Sequence, residues 1–92
     1  MQVESNNFMI IRKINDDVSI ACESYSNSRA WGHRAMAIYK GREVERASAR
    51  YYNRTWERYQ FESVMLGLVD KLDKTKAIPL EDRVAMYQNI KA

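Results

Sequence analysis

Apolar and polar positions alternate through "VSIACESY" (Val18–Tyr25), where Val18, Ile20 and Cys22 are separated by Ser19, Ala21 and Glu23. A period of two is what a half-buried strand requires. The preceding "FMIIRKI" (Phe8–Ile14) is short and rich in β-branched residues, and it runs into Asn15-Asp16-Asp17, whose side chains favour turns. The two segments therefore read as a hairpin. After the polar loop "SNSRAWG" (Ser26–Gly32), "HRAMAIY" (His33–Tyr39) forms a third strand ending at Lys40-Gly41, where glycine supplies the positive φ of a tight turn. "REVERASARYY" (Arg42–Tyr52) is the returning strand.

This last segment competes with a helix, because Glu, Arg and Ala are good helix formers. Arg42, Arg46, Arg50, Arg54 and Arg58 recur every four residues, so one continuous helix would stack like charges at i,i+4, each pair costing roughly 0.2–0.5 kcal/mol. It would also bury the capping residues Asn53 and Thr55 in its middle. A strand instead places Arg42, Arg46 and Arg50 on one face and Ala47, Ala49 and Tyr51 on the other.

From Thr55 the period changes to 3.6. At 100° per residue, Phe61, Val64, Met65, Leu68, Val69 and Leu72 fall in an arc of about 140°, a core-facing stripe, in a helix capped by Asn53 or Thr55 and running to Leu72. Pro79 then suits the start of a second, shorter helix over "LEDRVAMYQNIK" (Leu80–Lys91). The pattern predicts one α+β domain spanning 1–92: an antiparallel sheet of three or four strands packed against one main helix, plus a short C-terminal helix. Its expected buried set is Ile10, Val18, Ile20, Met36, Ile38, Phe61, Val64, Leu68 and Leu72.

Charge changes this picture only locally. Fifteen basic against twelve acidic residues leave a net +3, well below that of a protein that wraps nucleic acid. Tyr25–Gln60 holds eight basic and three acidic residues, a local +5, and so carries the whole excess. The single Cys22 has no internal disulfide partner and, among alternating apolar neighbours, reads as a small buried side chain in a cytosolic protein. No apolar run is long enough to span a membrane, and Glu4, Asn6 and Asn7 stand where a signal peptide needs basic and apolar residues. The chain is expected to be soluble, unprocessed and cytoplasmic.

Candidate chemistry is sparse. One histidine, His33, reads as an ordinary surface or turn residue, and with one cysteine it offers no metal-ligand spacing. The three glycines are too scattered to cradle a phosphate. Glu43 and Glu45, on one side of their strand, look like cross-strand charge partners rather than an acid/base pair. No enzyme activity, metal or cofactor is expected. What stands out is "RYYNRTWERYQFE" (Arg50–Glu62), since Trp, Tyr and Arg dominate binding hot spots and its aromatic residues cannot all face one core. The candidate binding residues are Arg42, Arg46, Arg50, Tyr52, Arg54, Trp56 and Tyr59. Their partner is expected to be a protein, with nucleic acid on the arginine face as the alternative.

Over Ala35–Leu72, with "NRTWERY" (Asn53–Tyr59) as its most specific element, the chain resembles short open reading frames common in tailed phages. The resemblance implies a phage accessory protein acting inside the infected cell, in a class that includes anti-CRISPR and other anti-defence inhibitors. A CRISPR nuclease or its effector complex is the partner so implied. The order of strands before a helix also resembles the double-stranded-RNA-binding domain, but acidic Glu57 stands where that domain has a lysine-rich helix start.

Overall fold

The alternating segments form four antiparallel strands in sequence order across one sheet: β1 (Ser5–Lys13), β2 (Val18–Ser26), β3 (Trp31–Tyr39) and β4 (Arg42–Tyr51). Two helices follow, α1 (Arg58–Thr75) and α2 (Leu80–Lys91). The computed structural model describes residues 5–26, 31–51 and 58–92. The α+β architecture, with its four-stranded sheet, main helix and shorter second helix, is the one the periodicities predict. The expected cap at Asn53 or Thr55, and with it Tyr52, Arg54 and Trp56, lies outside the described residues.

Local chemistry explains the turns. Asn15 Oδ1 accepts hydrogen bonds from the backbone N–H of Asp17 and of Val18, both at 2.9 Å, closing the β1–β2 hairpin as an Asx turn. Its Nδ2 donates to Asp82 Oδ1 at 2.9 Å, which ties this hairpin to the first turn of α2. Lys40 and Gly41 both have positive φ, 51° and 82°, as a two-residue turn matched to strand twist demands. At the end of α1, Lys76 takes φ 61° and its N–H donates to Leu72 O at 2.8 Å, stopping the helix three residues beyond the expected Leu72.

One face of the sheet is covered. Val18, Ile20 and Cys22 of β2, Ala35 and Ala37 of β3 and Ala47 of β4 meet Val64, Met65, Leu68, Val69 and Leu72 of α1, the stripe read from the 3.6 period. Small alanines on β3 and β4 let α1 settle close to the sheet. Ile78, Met86 and Ile90 complete the core. Arg83, also buried, donates from Nε to Ile78 O at 3.0 Å and from Nη1 to Asp73 Oδ1 at 2.7 Å, pinning the α1–α2 connection. Burial pushes the Cys22 thiol up to about 11, despite the opposing charge of Arg12, so it stays protonated and unreactive at neutral pH.

Four sequence expectations need correction here. Ile10 is 49% exposed rather than buried, because α1 lies over β3 and β4, reaches β2 and stops short of β1. Ile38 is only half-buried, on the far side of the sheet, and Phe61 is half-buried at the edge of the core. His33 is not a surface residue: it is 3% exposed, Nε2 lies 2.8 Å from Gln60 Oε1, and its ring meets Phe61 at 4.3 Å between centroids. Its alternation with Ala35 and Ala37 placed it on the helix side.

Candidate partner-binding surface

The second face of the sheet has no helix on it among the described residues. Its positions follow from the register. Met9 and Ile11 of β1 lie beside Glu23 and Ala21 of β2, which lie beside Arg34 and Met36 of β3, which lie beside Ser48 and Arg46 of β4. The next row contains Tyr25, Gly32 and Arg50. At its centre, Arg34 Nε stands 2.5 Å from Glu23 Oε1, and the Arg34 guanidinium lies 4.3 Å from the Tyr25 ring centroid. Both partners of the ion pair are largely covered, with side-chain exposures of 17% and 11%. Tyr25 lies flat across Gly32, leaving no room for even a β-carbon.

Gly32 is thus the floor on which the Tyr25–Arg34 stack rests. Gly32→Ala is expected to displace the Tyr25 ring and destabilise the fold by about 1–3 kcal/mol in chemical denaturation, as overpacking does. In a Tyr25→Ala background the same change should be nearly neutral. Equal costs in both backgrounds would show that the ring does not cover the glycine.

The expected arginine row is broken. A register irregularity between Ala37 and Ile38 inserts an extra residue in β4: Ala37 faces Glu45, Ile38 faces Glu43, and Val44 is left over and packs against the core. Arg46 and Arg50 therefore stand opposite Met36 and Gly32 on the open face, whereas Arg42 stands opposite Tyr39 on the helix side. Arg42 does not share a face with the other two. The same irregularity separates Glu43 from Glu45 and brings Glu43 beside Arg46, which makes two bonds from Nη2, at 2.7 and 3.0 Å, and one from Nε at 3.2 Å. Glu43 is a partner along its own strand, not across strands, and its hydrogen bonds push the Arg46 guanidinium above its ordinary range. Arg50 is exposed at the end of the row. Tyr59 is placed on the first turn of α1.

Sequence reasoning missed Tyr25, Arg34 and Glu23 as a unit, although Glu23 and Arg34 become direct cross-strand neighbours once β2 and β3 are paired. It also missed a groove of about 230 Å³ between the helices, lined by Val69, Asp73, Leu80, Arg83, Val84 and Tyr87. Leu80, Val84 and Tyr87 recur at i, i+4 and i+7, a second apolar line beside the buried one.

No protein-family model, no curated protein and no solved structure matches this chain. The likeness read from Ala35–Leu72 rests on those residues alone. Among the described residues no helix is long and apolar enough to cross a membrane, and no three His, Cys, Asp or Glu side chains gather as a metal site.

Proposed function

We propose that the protein is a non-catalytic binding module that inhibits a larger host protein by covering it with the open face of the sheet. The observation that carries this reading is the face itself: exposed apolar Met9 and Ile11, the Tyr25–Arg34 stack, and the cations Arg46 and Arg50, held on a four-stranded sheet whose other side is covered by α1 over β2, β3 and β4. Aromatic and arginine side chains fixed in place lose little entropy on docking, which is why such groups anchor interfaces. Tyr52, Arg54, Trp56 and Tyr59 follow β4 directly and extend the same reading. The phage likeness makes an anti-defence role, against a CRISPR nuclease or effector complex, the first one to test.

The nucleic-acid alternative is weaker on this geometry. A phosphate-tracking row needs several free cations on one face, and here Arg42 is turned away while Arg46 is held by Glu43.

The test is capture of a defined partner. Purified CRISPR nuclease complexes are mixed with wild-type protein, with an Arg46→Glu/Arg50→Glu variant and with a Trp56→Ala/Tyr59→Ala variant, each checked for folding. Retention of a stoichiometric complex by the wild type, and its loss in the variants by tenfold or more in affinity, supports the proposal. Tight binding to duplex DNA or RNA that collapses with salt, with a log-log slope of about 0.7–0.9 per phosphate, would replace it with the nucleic-acid reading.

A further inference from the structure

The two outer strands of the sheet are treated differently. On β4, Lys71 reaches from α1 to donate to Arg46 O at 2.9 Å, so a long charged side chain sits on that edge. β1 has no such guard: among the described residues no hydrogen bond from another part of the chain reaches Met9 or Ile11 on their free side. Ile14 N–H donates to Val18 O at 2.9 Å, and continuing that ladder through the β1–β2 register makes Ile10 and Arg12 the residues bonded to β2. The main-chain groups of Met9, Ile11 and Lys13 therefore point out of the sheet. The side chains alongside them are apolar and exposed on both faces, with Met9 at 55%, Ile10 at 49% and Ile11 at 64%.

We propose that this edge is a homodimer interface, in which β1 of one copy pairs antiparallel with β1 of a second copy about a two-fold axis at Ile10. The register is selected by the sequence. Centring on Ile10 sets Met9 against the partner's Ile11 in both directions, with their outward N–H and C=O groups bonded reciprocally, and Ile10 against the partner's Ile10 at the close, non-bonded position. Centring on Met9 would set Ile11 against Asn7, and centring on Ile11 would set Met9 against Lys13. Only the Ile10 register satisfies all three apolar residues with one another. It also keeps cations apart, because Arg12 and Lys13 then stand across from positions 8 and 7, Phe8 and Asn7.

A second copy fits better than a foreign strand for the same reason. The edge carries no acidic residue with which to choose a partner, and its apolar and charged positions match their own two-fold image. Residues paired in this register share a face, so both helix layers lie on the same side and the two open faces become one continuous surface. The pairing uses neither Arg46 nor Arg50, so those two residues test the binding role separately, although Met9 and Ile11 belong to both surfaces.

Light scattering on the full chain from micromolar to sub-millimolar concentration is expected to show the mass rising from one chain toward two. Met9→Pro removes only an outward N–H and should hold the protein monomeric with its circular dichroism unchanged; Ile11→Lys, which adds a charge at the same edge without touching the backbone, should do the same. Ile10→Cys should cross-link to itself under mild oxidation, since facing strand residues bring α-carbons within disulfide range. Because Cys22 stands opposite Ile10 on β2 and would itself pair with the new thiol, the cross-link is measured in a Cys22→Ala background, in which Lys13→Cys should not cross-link. A monomer at every concentration would overturn the proposal, as would a dimer that survives both Met9→Pro and Ile11→Lys. Either result would leave the Arg46/Arg50 experiment unaffected.

Discussion

Leu68→Ala is expected to cost about 3–5 kcal/mol, because the side chain is fully buried at the middle of the α1 stripe and close-packed surroundings relax little around the cavity. Total stability for a domain of this size is roughly 5–10 kcal/mol, so such a loss removes a large share of it. Thermal unfolding should move down by about 15 °C or more. Ile10→Ala removes a similar volume of hydrocarbon from a half-exposed strand edge and should cost less than about 1 kcal/mol in dilute solution. The two substitutions, measured side by side by calorimetry, decide whether α1 covers the centre of the sheet and leaves β1 open. Comparable losses would mean that the core extends over β1.

The second large effect concerns the ion pair under Tyr25. Glu23→Ala leaves the Arg34 guanidinium without its carboxylate in a mostly covered position, and breaking a buried pair on one side is strongly destabilising. With some residual exposure, the expected cost is about 2–4 kcal/mol. Replacing both partners, Glu23→Leu with Arg34→Met, should cost less than Glu23→Ala alone, because no desolvated charge is left behind. Urea titrations at low and high salt should give nearly the same cost, since covered charges are screened little. A single substitution that costs under about 0.5 kcal/mol would show that water reaches the pair freely.

Periodicity made most of the fold legible. The α1 stripe was readable because six apolar residues repeat at 3.6 over a long segment, and α2 was readable because Pro79 and an uninterrupted run of helix formers mark both ends. Strand pairing was readable from the Asn15 and Gly41 turns. How far a helix reaches across a sheet was not, since Ile10 and Ile20 carry the same hydrophobic pattern and differ only in what lies above them. His33 was misread for a related reason: its burial depends on Gln60 and Phe61, on a different element, supplying a hydrogen bond and a ring. The arginine face failed on a single residue. Spacing of four keeps strand residues on one side only while the alternation is unbroken, and no feature of "REVER" announces the extra residue.

That extra residue gives β4 two phases joined at Val44. Side chains on the turn side of it obey one parity and those beyond it the other, so their allotment between solvent and helices is set by chain count as much as by chemistry. Loss of one codon at Val44 would bring the strand into a single phase while leaving Arg42 opposite Tyr39 on the helix side and Glu43 opposite Ile38 beside Arg46. No other side chain would have to change. The charge of the open face is therefore buffered against a deletion at this one position, which is a place where chain length can change without rewriting the surface that a partner would meet.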